Sequence, residues 1–196
     1  MPLHTQSWGI YLENQGVSAD SLVARMHGKR NDQIVRDIFG ASLSESEVFQ
    51  HGANKEAIFR EMMALRIEEF LVPGVEDFLA HYRHLGLGLG SNAELANIDF
   101  VLDRAGLRKY FQAVADGHQV VHPKPAPDIY LKLAQHFGVD PSDCIVFEDS
   151  ATGVEAAVAE GMKVVGIATS EKWLPDVEVM VRDFRDPSLQ KWLEGL

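Results

Sequence analysis

A single cysteine, Cys144, leaves no partner for an intrachain disulfide. It ends up inside an apolar run, so it is expected as a small core residue. Basic excess is also missing. Eighteen Lys and Arg stand against 29 Asp and Glu, for a net charge of −11, which argues against a nucleic-acid partner. No apolar run approaches the roughly 18 residues of a membrane-spanning helix. MPLHTQSW, the first eight residues, has neither the basic flank nor the apolar stretch of a signal peptide. Repeats and low-complexity tracts are absent. The expectation is a cytoplasmic protein with no membrane and no nucleic-acid partner, a monomer or weak dimer.

The apolar content, 46%, is that of a globular protein, and 196 residues suffice for one domain plus a small second lobe. No strand signal occurs before residue 70. Trp8, Tyr11 and Leu12 share one helical face, and Ile34, Val35, Ile38 and Phe39 cluster on another. Gly16, Gly28, Gly40 and Gly52 are read as helix ends. Ser44 to Phe70 reads as one or two amphipathic helices. Pro73-Gly74 breaks this pattern. Beyond it helices alternate with short apolar strands at 86–90, 113–115, 144–147 and 163–168, the pattern of βαβ crossovers in a parallel sheet. The expected division is a helical lobe over residues 1–71 and an α/β domain over residues 72–196.

Ligands of open α/β sheets sit at the carboxyl ends of the strands. The first strand ends in Gly90-Ser91-Asn92. A loop after the second carries Lys124 between prolines, in His122-Pro123-Lys124-Pro125-Ala126-Pro127-Asp128. The third ends in Phe147-Glu148-Asp149-Ser150. Adjacent carboxylates repel and lose solvation, so they are poor stabilisers. They suit a hard divalent cation such as Mg²⁺, which takes one or two carboxylates with water and phosphate oxygens. A hydroxyl, a braced ammonium and a carboxylate pair are together suited to a phosphate. Ser91, with Asn92 helping, also suits the cap of the following helix.

A competing pattern exists. Gly88-Leu89-Gly90-Ser91-Asn92-Ala93 fits G-x-G-x-x-A, with Asp116 near the end of the next strand as a ribose-binding acid. That dinucleotide reading leaves Lys124 and the acid pair without a role. The histidine pairs His81/His84 and His118/His122 have no third ligand placed by sequence and are read as surface groups.

Ser91-Asn92, then Lys124 in HPKPAPDIY, then FEDSATG over 147–153, resembles the haloacid dehalogenase-like superfamily, in its β-phosphoglucomutase-like branch. The resemblance spans nearly the whole chain. It implies a Rossmann-like three-layer parallel sheet with an N-terminal helical cap. It implies Mg²⁺-dependent phosphatase or sugar-phosphate mutase chemistry on a small phosphorylated metabolite. Ser91 and Lys124 would be catalytic, binding a phosphoryl oxygen and neutralising its charge. Glu148 and Asp149 would hold Mg²⁺. Asn92, with the cap cations Lys29 and Arg30, would meet substrate.

One family feature is missing. The superfamily's aspartate nucleophile and its general acid/base lie in a D-x-D-G motif on a central first strand. None of the 14 aspartates here fall two apart. In the family a Pro-Leu-His string often opens the cap just after that motif, and Pro2-Leu3-His4 stands here directly after Met1. The expectation is therefore a chain without the first core strand, through a displaced start or truncation rather than genuine loss. Its turnover should be weak or nil. A non-catalytic protein that binds phosphate or a partner is the alternative.

Overall fold

The computed structural model describes residues 2–18, 31–169 and 171–196 and forms two compact units, Met1–Ile67 and Glu68–Leu196. In the first, α1 (Pro2–Asn14) and α2 (Asn31–Phe39) pack against α3 (Glu45–Ala64). Their apolar stripes merge: Trp8, Tyr11 and Leu12 meet Ile34, Val35 and Val48 in one buried cluster. Burying each such side chain is worth roughly 1.5–3 kcal/mol. Ser44 starts α3 with a capping box, its side chain accepting from Glu47 N while Glu47 reaches back to Ser44 N. Gly16 ends α1 at φ 71°. Gly52, by contrast, lies buried inside α3 and not at a helix end, with Asn31 Cβ an ordinary contact distance of 3.8 Å from where its own Cβ would be. Gly28 lies outside the described residues.

α4 (Ile67–Phe70) leads to the α/β unit, where every strand pairing is parallel. β1 (Gly88–Ser91) pairs with β2 (Ala113–Asp116). β3 (Ile145–Glu148), β4 (Lys163–Ile167) and β5 (Val179–Val181) form a second sheet in that order. No ladder joins β1 to β3 among the described residues. α5 (Val75–His81) and α6 (Leu95–Arg104) supply Leu79, Ile98 and Leu102 to one face of the first sheet, against Leu89 and Val114. α7 (Asp128–Phe137) covers the other with Ile129 and Leu133. On the second sheet Val146 and Val164 face Val154 and Ala157 of α8 (Ala151–Val158). Phe147, Val165 and Val181 face Phe78, Phe184 and Leu189, the last on α9 (Pro187–Leu193). This is the expected three-layer α/β arrangement.

Boundaries differ in detail. β3 begins one residue later than its apolar run suggests and extends to Glu148. Cys144 therefore precedes the strand and is half-buried, packed against the core cluster rather than inside it, its Sγ 3.6 Å from the Asp140 carbonyl. α6 starts at Leu95 with Glu94 at its N-cap, so neither Ser91 nor Asn92 caps it. β5 and α9 went unread because β5 is three residues long, too short for a periodic signal.

The glycines of the G-x-G pattern have a packing role. A Cβ at Gly88 would lie 3.0 Å from Phe137 and 3.1 Å from Leu133, and one at Gly90 would lie 2.5 Å from Ile129. α7 rides directly on β1, and only glycine leaves it room. Asp116 is 2% exposed and accepts from His118 N and Gln119 Nε2 at 2.7 Å each, so its carboxylate is committed to its own turn. Both features of the dinucleotide pattern thus have structural explanations. Gly90→Val should lower unfolding free energy by about 1–3 kcal/mol through overpacking, measured by chemical denaturation. A stability equal to wild type would show that α7 does not press on β1.

Candidate functional site

Two strand ends and one helix of the α/β unit converge on Lys124. Its Nζ donates to the Gly90 carbonyl at the end of β1 (3.1 Å), to the Tyr130 hydroxyl on α7 (2.7 Å) and to Glu148 Oε1 at the end of β3. All three ammonium protons have acceptors. The ring of Tyr130 also lies 4.4 Å from Nζ, a cation–π distance. The Lys124 and Glu148 side chains are only 7% and 10% exposed. The peptide between Lys124 and Pro125 is cis.

Glu148 is held at both oxygens. Oε1 takes Lys124 and the Tyr130 hydroxyl (2.5 Å); Oε2 accepts from Asp149 N, Ser150 N and Ser150 Oγ at 3.1, 3.3 and 3.0 Å. Ser150 Oγ in turn accepts from Gly153 N (3.1 Å) as the N-cap of α8. Burial alone would raise the Glu148 pKa, but the Lys124 charge and the hydrogen bonds from Lys124, Tyr130 and Ser150 override it and hold it below its ordinary value of 4.5. The pair therefore stabilises the fold above that value, and the stabilisation is lost as pH falls through the lowered pKa. Burial, and next the neighbouring Glu148 charge, push the Tyr130 phenol upward, so it remains a neutral donor.

Asn92 brackets the lysine backbone, its Oδ1 accepting from Lys124 N and its Nδ2 donating to Lys124 O, both at 3.0 Å. Ser91 ends β1, and its Oγ accepts from Ala93 N at 3.1 Å. Asp149 Oδ2 accepts from Thr169 Oγ1 (2.6 Å), just past the end of β4. The structure thus gathers Asn92, Lys124, Glu148 and Asp149 in one bonded network at the ends of β1 and β3, with Ser91 beside Asn92. Lys29 and Arg30 lie outside the described residues.

Four contributors to the site were given no role from the sequence. Tyr130 stands six residues after Lys124 on the buried face of α7, and a phenol there needs a hydrogen-bond partner, which is a readable signal. Ser150 and Gly153 are legible from FEDSATG only once Glu148 is known to fold back. A Cβ on Gly153 would overlap the Glu148 carboxyl group, so the glycine makes the berth for the acid. Thr169 carried no signal.

Glu148 and Asp149 match Mg²⁺ in donor type. Among the described residues no cluster of three or more His, Cys, Asp or Glu could hold a metal, so the protein offers two carboxylates and solvent or phosphate oxygens would complete the shell.

A second polar cluster lies in the helical unit. Lys55, 1% exposed, donates to Glu56 Oε1 and meets His4 Nδ1, each at 2.8 Å, while the His4 ring stacks on Phe59 at 4.0 Å. Asn31 Nδ2 donates to Glu56 Oε1 at 2.7 Å. Burial, then the Lys55 charge, lower the His4 pKa to about 4, so its neutral Nδ1 accepts from the ammonium.

These features define a class: a parallel α/β protein with a lysine and paired acids at the strand ends. The chain belongs to the haloacid dehalogenase-like hydrolase family, whose profile matches residues 11–161. A fructose-1-phosphate phosphatase, YqaB of Escherichia coli, is 31% identical over 167 residues, covering 85% of this chain and 88% of that protein. Two crystal structures share the fold. A family IA hydrolase from Entamoeba histolytica has TM-score 0.78 and 23% identity, over 94% of this chain and 87% of its own. A β-phosphoglucomutase from Clostridium difficile has TM-score 0.77 and 22% identity, over 98% and 90%. Among the described residues no helix is long and apolar enough to cross a membrane.

Gly153→Ala should displace Glu148, lowering unfolding free energy by about 1–3 kcal/mol; denaturant melts read it, and an unchanged value would refute the berth. Between pH 6.5 and about 4 the unfolded His4 takes a proton that the folded one resists. Stability should fall across that window, and His4→Gln should flatten the fall; parallel slopes for the two proteins in pH-dependent melts would show that His4 does not contribute.

Proposed function

We propose that the network around Lys124 is a Mg²⁺-assisted phosphate site for a small phosphorylated metabolite, of the phosphatase or sugar-phosphate mutase type. The single observation that carries this reading is the Lys124 ammonium, nearly buried and bonded to Glu148 at the end of β3. The resemblance of the E. coli relative, a fructose-1-phosphate phosphatase, supports a sugar phosphate as substrate class. Residues 1–71 would act as the cap that selects it, with Lys29 and Arg30 as substrate-facing cations.

Each residue has a task in that site. Lys124 would donate to phosphoryl oxygens and neutralise their charge, which is most of what phosphoryl transfer asks of a protein. Ser91 Oγ would donate to a phosphoryl oxygen. Asn92 would act through the lysine, since both ends of its amide are spent on the Lys124 backbone. Glu148 and Asp149 would hold Mg²⁺, which when bound would offset phosphate charge. A phosphate and a cation must compete with the internal Lys124–Glu148 pair, so binding of the two should be mutually supportive.

Covalent chemistry is another matter. Family catalysis begins with the aspartate of D-x-D-G, and no two aspartates of this chain are two apart. We infer that turnover by this chain is weak or nil. The same observation, with Lys124 already neutralised internally, favours a second reading, a non-catalytic phosphate- or partner-binding protein.

Aryl phosphate hydrolysis with and without Mg²⁺, run beside calorimetric titration of inorganic phosphate, tests both. Expected are phosphate binding that strengthens with Mg²⁺ and hydrolysis near background. Vigorous hydrolysis would overturn the assignment of roles. Lys124→Met should abolish phosphate binding and, by leaving Glu148 a nearly buried charge without its partner, cost about 3–5 kcal/mol of stability, measured by denaturant melts; full phosphate affinity in a folded Lys124→Met protein would remove the lysine from the site.

A further inference from the structure

We propose that Tyr130 is the positioning residue of this site: its hydroxyl, shared between the Lys124 ammonium and Glu148 Oε1, keeps the lysine aimed at the strand ends when an anion and a cation separate it from the acid. The inference rests on the phosphate-site reading and adds to it a residue with no assigned role.

The geometry carries it. The Tyr130 oxygen accepts from Nζ at 2.7 Å and donates to Glu148 Oε1 at 2.5 Å. One hydroxyl thus touches the cationic and the anionic arm at once. The tyrosine is 7% exposed and belongs to a buried apolar cluster with Val146 and Val154. Ring and hydroxyl are therefore fixed by the core before any ligand arrives. Lys124 is a long side chain with four rotatable bonds, and its neighbours cannot all persist on binding. A phosphate oxygen needs one ammonium proton, and a divalent cation draws the Glu148 charge away from Nζ. Two holds are left on the lysine: the Gly90 carbonyl, at 3.1 Å, and the Tyr130 hydroxyl. The phenol is the shorter of these. Glu148 also keeps its attachment through Oε2, to Asp149 N, Ser150 N and Ser150 Oγ. Loss of the hydroxyl therefore falls on the lysine more than on the acid.

Tyr130→Phe removes the oxygen and keeps the ring. A hydrogen bond to a charged group is worth about tenfold or more in affinity, so inorganic phosphate, titrated in saturating Mg²⁺, should bind about tenfold more weakly. Mg²⁺ alone should change by less than about threefold, because Oε2 remains anchored. A general loss of structure would weaken both ligands and lower the melting temperature together.

Two measurements need no ligand. In ligand-free wild type the Tyr130 hydroxyl proton should exchange slowly with water and give a cross-peak to the Lys124 ammonium protons by NMR. In Tyr130→Phe the ammonium signal should broaden into solvent exchange. If wild type fails to bind phosphate while both NMR signatures hold, the phosphate-site reading fails and the tyrosine–lysine bond stands. If phosphate affinity and the ammonium signal are the same in the two proteins, Tyr130 is not a positioning residue. Should the variant not fold, a wild-type hydroxyl proton in fast exchange with water overturns the proposal by itself.

Discussion

The α/β unit depends on one buried charge pair. Lys124 stands in a loop and Glu148 at the end of β3, 24 residues apart, and neither has much water to fall back on. A buried ion pair is poor value for stability unless its remaining donors and acceptors are satisfied. Here they are. Gly90 O and the Tyr130 hydroxyl take the other ammonium protons, and Asp149 N with Ser150, the N-cap of α8, donates to the other carboxylate oxygen. The consequence reaches beyond the pair. β1 and β3 belong to separate ladders, and Lys124 is the polar connection between their carboxyl ends.

Close backbone approach makes that connection possible. Gly153 clears the space into which Glu148 folds back, and Gly88 and Gly90 let α7 settle on β1. With α7 seated there, Tyr130 reaches Lys124 from below, while Asn92 grips the lysine backbone from the β1 side. Packing and site chemistry are therefore the same constraint. Small residues in FEDSATG and in the strand before Ser91 place helices, and the helices place the polar groups. A family assignment to haloacid dehalogenase-like hydrolases fits this economy, since phosphoryl transfer asks chiefly for positioned charge.

Much of this was legible in the chain. The change of period after Pro73-Gly74 separated helices from βαβ units, and four of five strands were placed within two residues. Lys124 between prolines and Glu148-Asp149 at a strand end stood out because residue types so costly to group need a reason. What failed has physical causes. Gly52 looked like a helix end, yet α3 runs through it, because one glycine costs a helix only about 1 kcal/mol and does not by itself end it. Cys144 packs at the margin of the core and not inside it, because one residue of register decides whether an apolar run starts in or before the strand. β5 was too short for periodicity, and the partner that the Tyr130 phenol needs lies 18 residues away, on another element.

The sequence by itself determined the order of elements, the parallel α/β class and which residue types stand at the strand ends, because these follow from local periodicity and from the chemistry of short motifs. Only the tertiary structure decided who bonds to whom. Asn92 turns to the Lys124 backbone, 32 residues away, and Lys124 reaches Gly90, 34 residues away. Such pairings depend on how closely α7 lies on β1 and α8 on β3, a matter of side-chain volume across the core that no spacing along the chain encodes.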